Sequence, residues 1–210
     1  MSYVAKAVDD PLTEAKLKCV RSLVRLVEPF LKKYQTDLPM LPFLTSDLSA
    51  LIENIMKRFI KKDLLKSPVS VADLMNMDVD DGDNHITAKK VEVGFLADKL
   101  VEELKRKKKI SELQLMEFRM QAKAMYSSTI SKLQNKCPLV HATVRNMTCL
   151  NSVKLATEPD KCSSKFKKLL WILVTTGFIQ EEKCEPLASL FSDFLSEVVS
   201  VNAFTFKNTF

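Results

Sequence analysis

Thr45–Ile60, TSDLSALIENIMKRFI, carries the clearest structural signature in the chain. Its apolar residues Leu48, Leu51, Ile52, Ile55, Met56, Phe59 and Ile60 recur at threes and fours. That spacing places them on one stripe of a helix with 3.6 residues per turn. Thr45 or Ser46 stands where a side-chain oxygen can cap the first turn. The chain carries only 3 glycines, too few for a sheet protein built on tight turns, and it lacks alternating apolar strands. The expectation is an all-α protein, an irregular multi-helix bundle.

The same periodicity extends outward in both directions. From Pro11 to about Tyr34 it involves Leu12, Leu17, Val20, Leu23, Val24, Val27 and Leu31, and Pro29 should bend or interrupt that helix. KYQTDLPMLPFL, Lys33–Leu44, follows, with Pro39 and Pro42 read as excluding regular helix. Ser70 to Met77 reads as a short helix, and Asp78 to Lys90 as a polar loop and the best place for a flexible joint. Gly94 precedes a helix through Leu104. Ser111 caps a long one to about Asn135, apolar on two faces (Leu115, Phe118, Ala122, Met125 and Leu113, Met116, Met120, Ala124) and therefore expected to pack on both sides. A shorter helix lies around Val140 to Met147, another runs from Pro159 to a stop at Gly177, and a last one ends near Val199. The organisation expected is an N-terminal helical part over 1–77, an acidic loop over 78–93, a C-terminal helical part over 94–200 packed with the first as one domain, and a tail over 201–210.

A chain of 210 residues with 46% hydrophobic content can bury a core and is not of disordered composition. No apolar run reaches the roughly 20 residues that span a bilayer, so no membrane partner is expected. The polar start, MSYVAKAVDDPLTEAK, and five scattered cysteines (Cys19, Cys137, Cys149, Cys162, Cys184) argue for an intracellular protein with reduced thiols.

Catalytic chemistry finds little support. DVDDGDNH, Asp78–His85, departs from a calcium-binding loop, because Gly82 stands at position 5, Asp83 at 6 and Lys89 at 12. Cys137, His141 and Cys149 lack the fourth ligand of a zinc site and read as core or helix-end residues. The carboxylate pairs Glu102-Glu103 and Glu181-Glu182 lie in charged surroundings, with little nearby to raise a pKa. The expectation is no enzyme, no metal and no cofactor.

Net charge is +6 and pI about 9.0. One basic group comprises Lys57, Arg58, Lys61, Lys62 and Lys66. A second is Lys105, Arg106, Lys107, Lys108 and Lys109, which is also the pattern of a short nuclear-localisation run. A third is Lys161, Lys165, Lys167 and Lys168. Phe59, Phe166 and the lone Trp171 are read as core residues rather than base-stacking platforms.

KYQTDLPMLPFL, DLSALIENIMKRFIKK, MEFRMQAKAM (Met116–Met125) and DKCSSKFKKLLWILVTTGFI (Asp160–Ile179) resemble, in order and spacing, segments of hAT-transposon-derived proteins. In that family a zinc-finger module precedes an RNase H-like catalytic core that is interrupted by a large helical insertion, and a dimerisation region follows. The resemblance covers the helical middle region only, and no catalytic or metal-binding residue carries over. It implies a fragment or degenerate product without independent catalysis, in the nucleus rather than the cytoplasm.

The expected function is non-specific contact with nucleic-acid phosphates through Lys57, Arg58, Lys61, Lys62 and Lys105, Arg106, Lys107, Lys108, Lys109. The alternative is a protein-interaction scaffold, binding a protein partner or itself, with Phe204, Phe206 and Phe210 of the tail as the suspected contact.

Overall fold

The structure, a computed structural model, describes residues 10–66 and 69–207, with side chains as far as 198. Among the described residues the chain forms nine α-helices, several of them joined through short 3₁₀ turns. They are α1 (Thr13–Tyr34), α2 (Leu41–Met56), α3 (Val71–Asn76), α4 (Phe95–Arg106), α5 (Glu112–Lys136), α6 (Ala142–Asn146), α7 (Ser152–Thr157), α8 (Pro159–Thr175) and α9 (Cys184–Lys207). The fold is all-α. Extended pairing among the described residues is limited to one isolated antiparallel bridge, Ile60 to His85.

The chain forms two compact units, one of residues 1–36 and 48–137, the other of residues 37–47 and 138–210. The division therefore falls at 37–47 and after Cys137, and not at the acidic loop 78–93. Each unit has its own core.

In the first unit the stripe of α2 is buried as its spacing requires, but the helix ends at Met56, short of the expected Ile60, and Phe59 and Ile60 enter the core from the turn and bridge that follow. Ile52, Ile55, Met56, Phe59 and Ile60 are fully buried and Leu48 and Leu51 nearly so. Val91, Val93, Ala97, Val101, Tyr126 and Ile130 complete that core. Ser111 caps α5 with a reciprocal box: its Oγ accepts from the Gln114 backbone N–H at 3.2 Å while Gln114 Oε1 accepts from the Ser111 N–H at 2.8 Å.

Gly94 opens α4 at φ +92°, and a Cβ there would stand 2.4 Å from Ser22 Oγ. Only glycine lets α1 come this close to the start of α4.

In the second unit Cys149, Leu155, Cys162, Leu169, Phe191 and Leu195 form the core, flanked by Met147, Phe166, Leu173 and Val198. The Phe166 and Phe191 rings stack at 3.9 Å between centroids. Gly177, at φ +75°, ends α8.

Several expectations are corrected. Pro42 does not exclude helix: α2 begins at Leu41, and a proline in the first turn has no intrahelical hydrogen bond to lose. Thr45 is consequently not a cap but a buried interior residue whose Oγ1 donates to the Val144 carbonyl at 3.0 Å. Pro29 lies inside α1 without ending it.

The two-sided reading of α5 also fails. Leu115, Phe118, Ala122, Tyr126 and Ile130 are buried, whereas Leu113 and Met120 are exposed. The loop after Met77 is packed rather than a joint. Val79 is buried, Asp78 Oδ1 accepts from the Asp80 and Asp81 N–H groups at 3.0 and 3.2 Å, and Ser127 Oγ donates to Asp80 at 2.6 Å.

Candidate nucleic-acid interface

The first basic group is drawn into the core at its most important member. Arg58 follows the last turn of α2 and is only 7% exposed. Its Nη1 donates to Ser22 Oγ at 3.1 Å and to Tyr126 Oη at 3.2 Å, and its guanidinium lies 5.6 Å from the Tyr126 ring centroid. Tyr126 Oη donates in turn to the Glu92 carbonyl at 2.9 Å. Burial, then the neighbouring Cys19 thiol, pushes the Tyr126 phenol well above its ordinary value.

Arg58 is therefore a structural residue and the expectation that it contacts phosphate is corrected: a guanidinium enclosed in this way cannot reach a nucleic-acid backbone. Lys57, just past the end of α2, is held by Glu53 one turn back at 2.6 Å. Lys61, Lys62 and Lys66 remain exposed, so the group reduces to three lysines, two of them adjacent.

The second group is arranged differently. Lys105 and Arg106 end α4, Lys107 and Lys108 make the turn, and Lys109 leads into the buried Ile110 that anchors the corner before α5. All five basic residues are exposed. Lys108 takes φ +56°, the left-handed conformation that reverses the chain after a helix. Lys105 pairs with Glu112 at 2.6 Å, and Lys107 pairs with Glu103 one turn back. Glu103 and Glu112 are both held below the ordinary carboxylate range, first by the hydrogen bond from their lysine and then by its charge.

Arg106, Lys108 and Lys109 make no ion pair among the described residues, so three cations face water on one tight corner. Beside it a cleft of about 570 Å³ is lined by Lys89, Glu102, Lys105, Glu112 and Arg119 among others. Arg119, one of the lining residues, is engaged elsewhere, donating to Asp98 and to the Val91 carbonyl, each at 2.7 Å. Burial raises the Asp98 carboxyl and Arg119 opposes the shift, which describes a clamp between α4 and α5.

Within the second unit α8 shows a surface that sequence reasoning misplaced. Trp171 is 69% exposed, which corrects its reading as a core residue. The buried positions of α8 are Cys162, Leu169 and Leu170, and Trp171 falls just past the edge of that stripe. Lys167 and Lys168, one turn before it, are exposed. Lys161 pairs with Glu158 at 3.0 Å and Lys165 donates to Thr148 Oγ1 at 2.7 Å. The hydrogen bond from Lys154, then that from Lys161, holds Glu158 down at about 2. The one available signal for Trp171 was the run of lysines on its own face.

Cys137 ends α5 and His141 opens α6, whereas Cys149 is a core residue whose thiol is pushed up to about 11, chiefly by burial. Among the described residues no group of His, Cys, Asp and Glu side chains is placed to hold a metal ion. No described helix is long and apolar enough to cross a membrane. Comparison with protein-family models, curated proteins and solved structures gives no match.

Proposed function

We propose that this chain is a non-catalytic helical part of an hAT-type transposase-derived protein, acting in the nucleus, that contacts nucleic acid through exposed basic corners without reading sequence. The observation that carries the reading is the α4–α5 corner, where Arg106, Lys108 and Lys109 stand exposed and without an acidic partner among the described residues. Phosphate contact needs cations that are gathered and not already neutralised, and here three are presented by adjacent backbone positions. Lys105 and Lys107 add to the field while exchanging their glutamates for phosphate oxygens. Lys61 and Lys62 supply a smaller contact.

On α8 the exposed Trp171 with Lys167 and Lys168 has the composition of a stacking contact for an unpaired base. The scaffold alternative named Phe204, Phe206 and Phe210, whose side chains lie outside the described residues.

Binding of a labelled duplex at low salt tests the reading. Arg106→Glu with Lys108→Glu and Lys109→Glu should weaken binding at least tenfold. The same triple change should also reduce the slope of log affinity against log salt by about 0.9 for each phosphate that is no longer neutralised. Unchanged affinity and slope in this variant would reject the corner as the interface, and no binding by the parent chain at low salt would reject the function.

A further inference from the structure

α1 carries a second apolar stripe that the fold leaves outside. Its buried side is Leu12, Ala15, Cys19 and Leu23, whereas Leu17, Val20, Val24 and Leu31 are 65%, 45%, 50% and 52% exposed. With Val27 and Tyr34, both half-buried, these residues follow strict alternating steps of three and four from Leu17 to Tyr34. That is the a/d seam of a two-stranded coiled coil, and a globular helix with a single buried face has no need of it.

The apolar stripe can pair with itself in either direction, and its flanking residues favour one of them. In an antiparallel pair a positions meet d positions, so Leu17 faces Tyr34 of the other copy, Val20 faces Leu31, and Val24 faces Val27. This register uses all six positions of the seam. It also brings Arg21 level with Glu28 of the second helix, twice by symmetry, because both occupy the position next to the seam on the same flank. A parallel pair would instead set Lys16 against Arg21, two like charges, and Leu23 against Glu28.

Glu28 is exposed and uses one carboxylate oxygen for Lys32, at 2.6 Å, which leaves the other for an arginine. Arg21 makes no ion pair among the described residues.

We infer that α1 docks on α1 of a second copy of this chain, antiparallel, through Leu17, Val20, Val24, Val27 and Leu31, with Arg21–Glu28 pairs fixing the orientation. The seam spans only about two and a half heptads, so the association is weak and concentration-dependent. A closed twofold pair also doubles the basic corners available to one nucleic-acid chain.

Sedimentation equilibrium of the full chain over a hundredfold concentration range tests this. The mass should rise from 23.9 kDa towards twice that value. Val24→Asp should hold it at the monomer value with unchanged helical circular dichroism. Arg21→Glu should weaken association at least fivefold, and adding Glu28→Arg to it should restore most of that affinity. A monomer throughout, or a dimer indifferent to Val24→Asp, would overturn the interface. A dimer lost in Arg21→Glu and not recovered in the double variant would overturn the antiparallel pairing.

Discussion

The basic runs at 57–62 and at 105–109 look alike as strings of residues, yet the fold treats them in opposite ways. In the first, Arg58 turns inward and is consumed by Ser22, Tyr126 and an aromatic face, leaving Lys61 and Lys62 outside. In the second, all five cations stay in water at a turn and two of them lean on glutamates. The difference comes from backbone context. Arg58 follows directly on the buried stripe of α2, where the next residues, Phe59 and Ile60, are fully buried. Lys105 to Lys109 occupy a helix end and a chain reversal, with the buried Ile110 following them. A basic residue beside a core stripe is a structural residue first, and a basic residue at a reversal is available to a partner.

The largest effect expected from this contrast is on stability, in the first run alone. Arg58→Ala should lower the unfolding free energy by about 3 kcal/mol, from poorer packing and from polar groups left without their partner. Chemical denaturation measures it. A change below about 0.5 kcal/mol would make Arg58 a surface residue and erase the contrast.

Gly94→Ala should come next, at about 2 kcal/mol. It strains a positive-φ position and drives Ser22 away from α4, which also disturbs the acceptor of the Arg58 guanidinium. A combined Arg58→Ala, Gly94→Ala variant should then be destabilised by less than the sum of the two, since both act through Ser22.

The charge reversals at Arg106, Lys108 and Lys109 should leave stability within about 0.5 kcal/mol of the parent while costing about 1.4 kcal/mol or more in duplex affinity.

A smaller effect separates the runs by pH. The Tyr126 phenol is raised in the folded state from an ordinary value of 10.0, so the folded protein holds this proton where the unfolded chain has released it. Its contribution is fully present below about pH 10 and falls away as pH rises beyond that. While the helices persist, Tyr126 should stay un-ionised above this point, contributing no phenolate absorbance in the ultraviolet, and denaturation should become easier as pH rises. A tyrosine titrating at its ordinary value in the folded chain would contradict the enclosure of Arg58.

Helices and their caps were legible in the residues because local chemistry sets them. Ser111 with Gln114, Gly94, Gly177 and the α2 stripe each declare an element by type and spacing. What was illegible is which of two apolar faces the rest of the molecule covers. Leu17, Val20 and Val24 on α1, and Leu113 and Met120 on α5, are as apolar as their buried neighbours, and only tertiary packing decides between them. The same reason hid Arg58, whose partners Ser22 and Tyr126 lie far away in sequence, and displaced Trp171 to the surface. Pro42 misled for another reason: a proline breaks a helix interior but suits a first turn, and the residues alone left the start of α2 open by a few positions.

Lysine-reactivity footprinting of the full chain, with and without a saturating duplex, sets the two basic runs against each other in one experiment. Lys108 and Lys109 should be strongly protected, Lys61 and Lys62 more weakly, and Lys57 not at all. Protection confined to the run at 57–62, or none anywhere at saturating duplex, would contradict the assignment of the α4–α5 corner as the nucleic-acid interface.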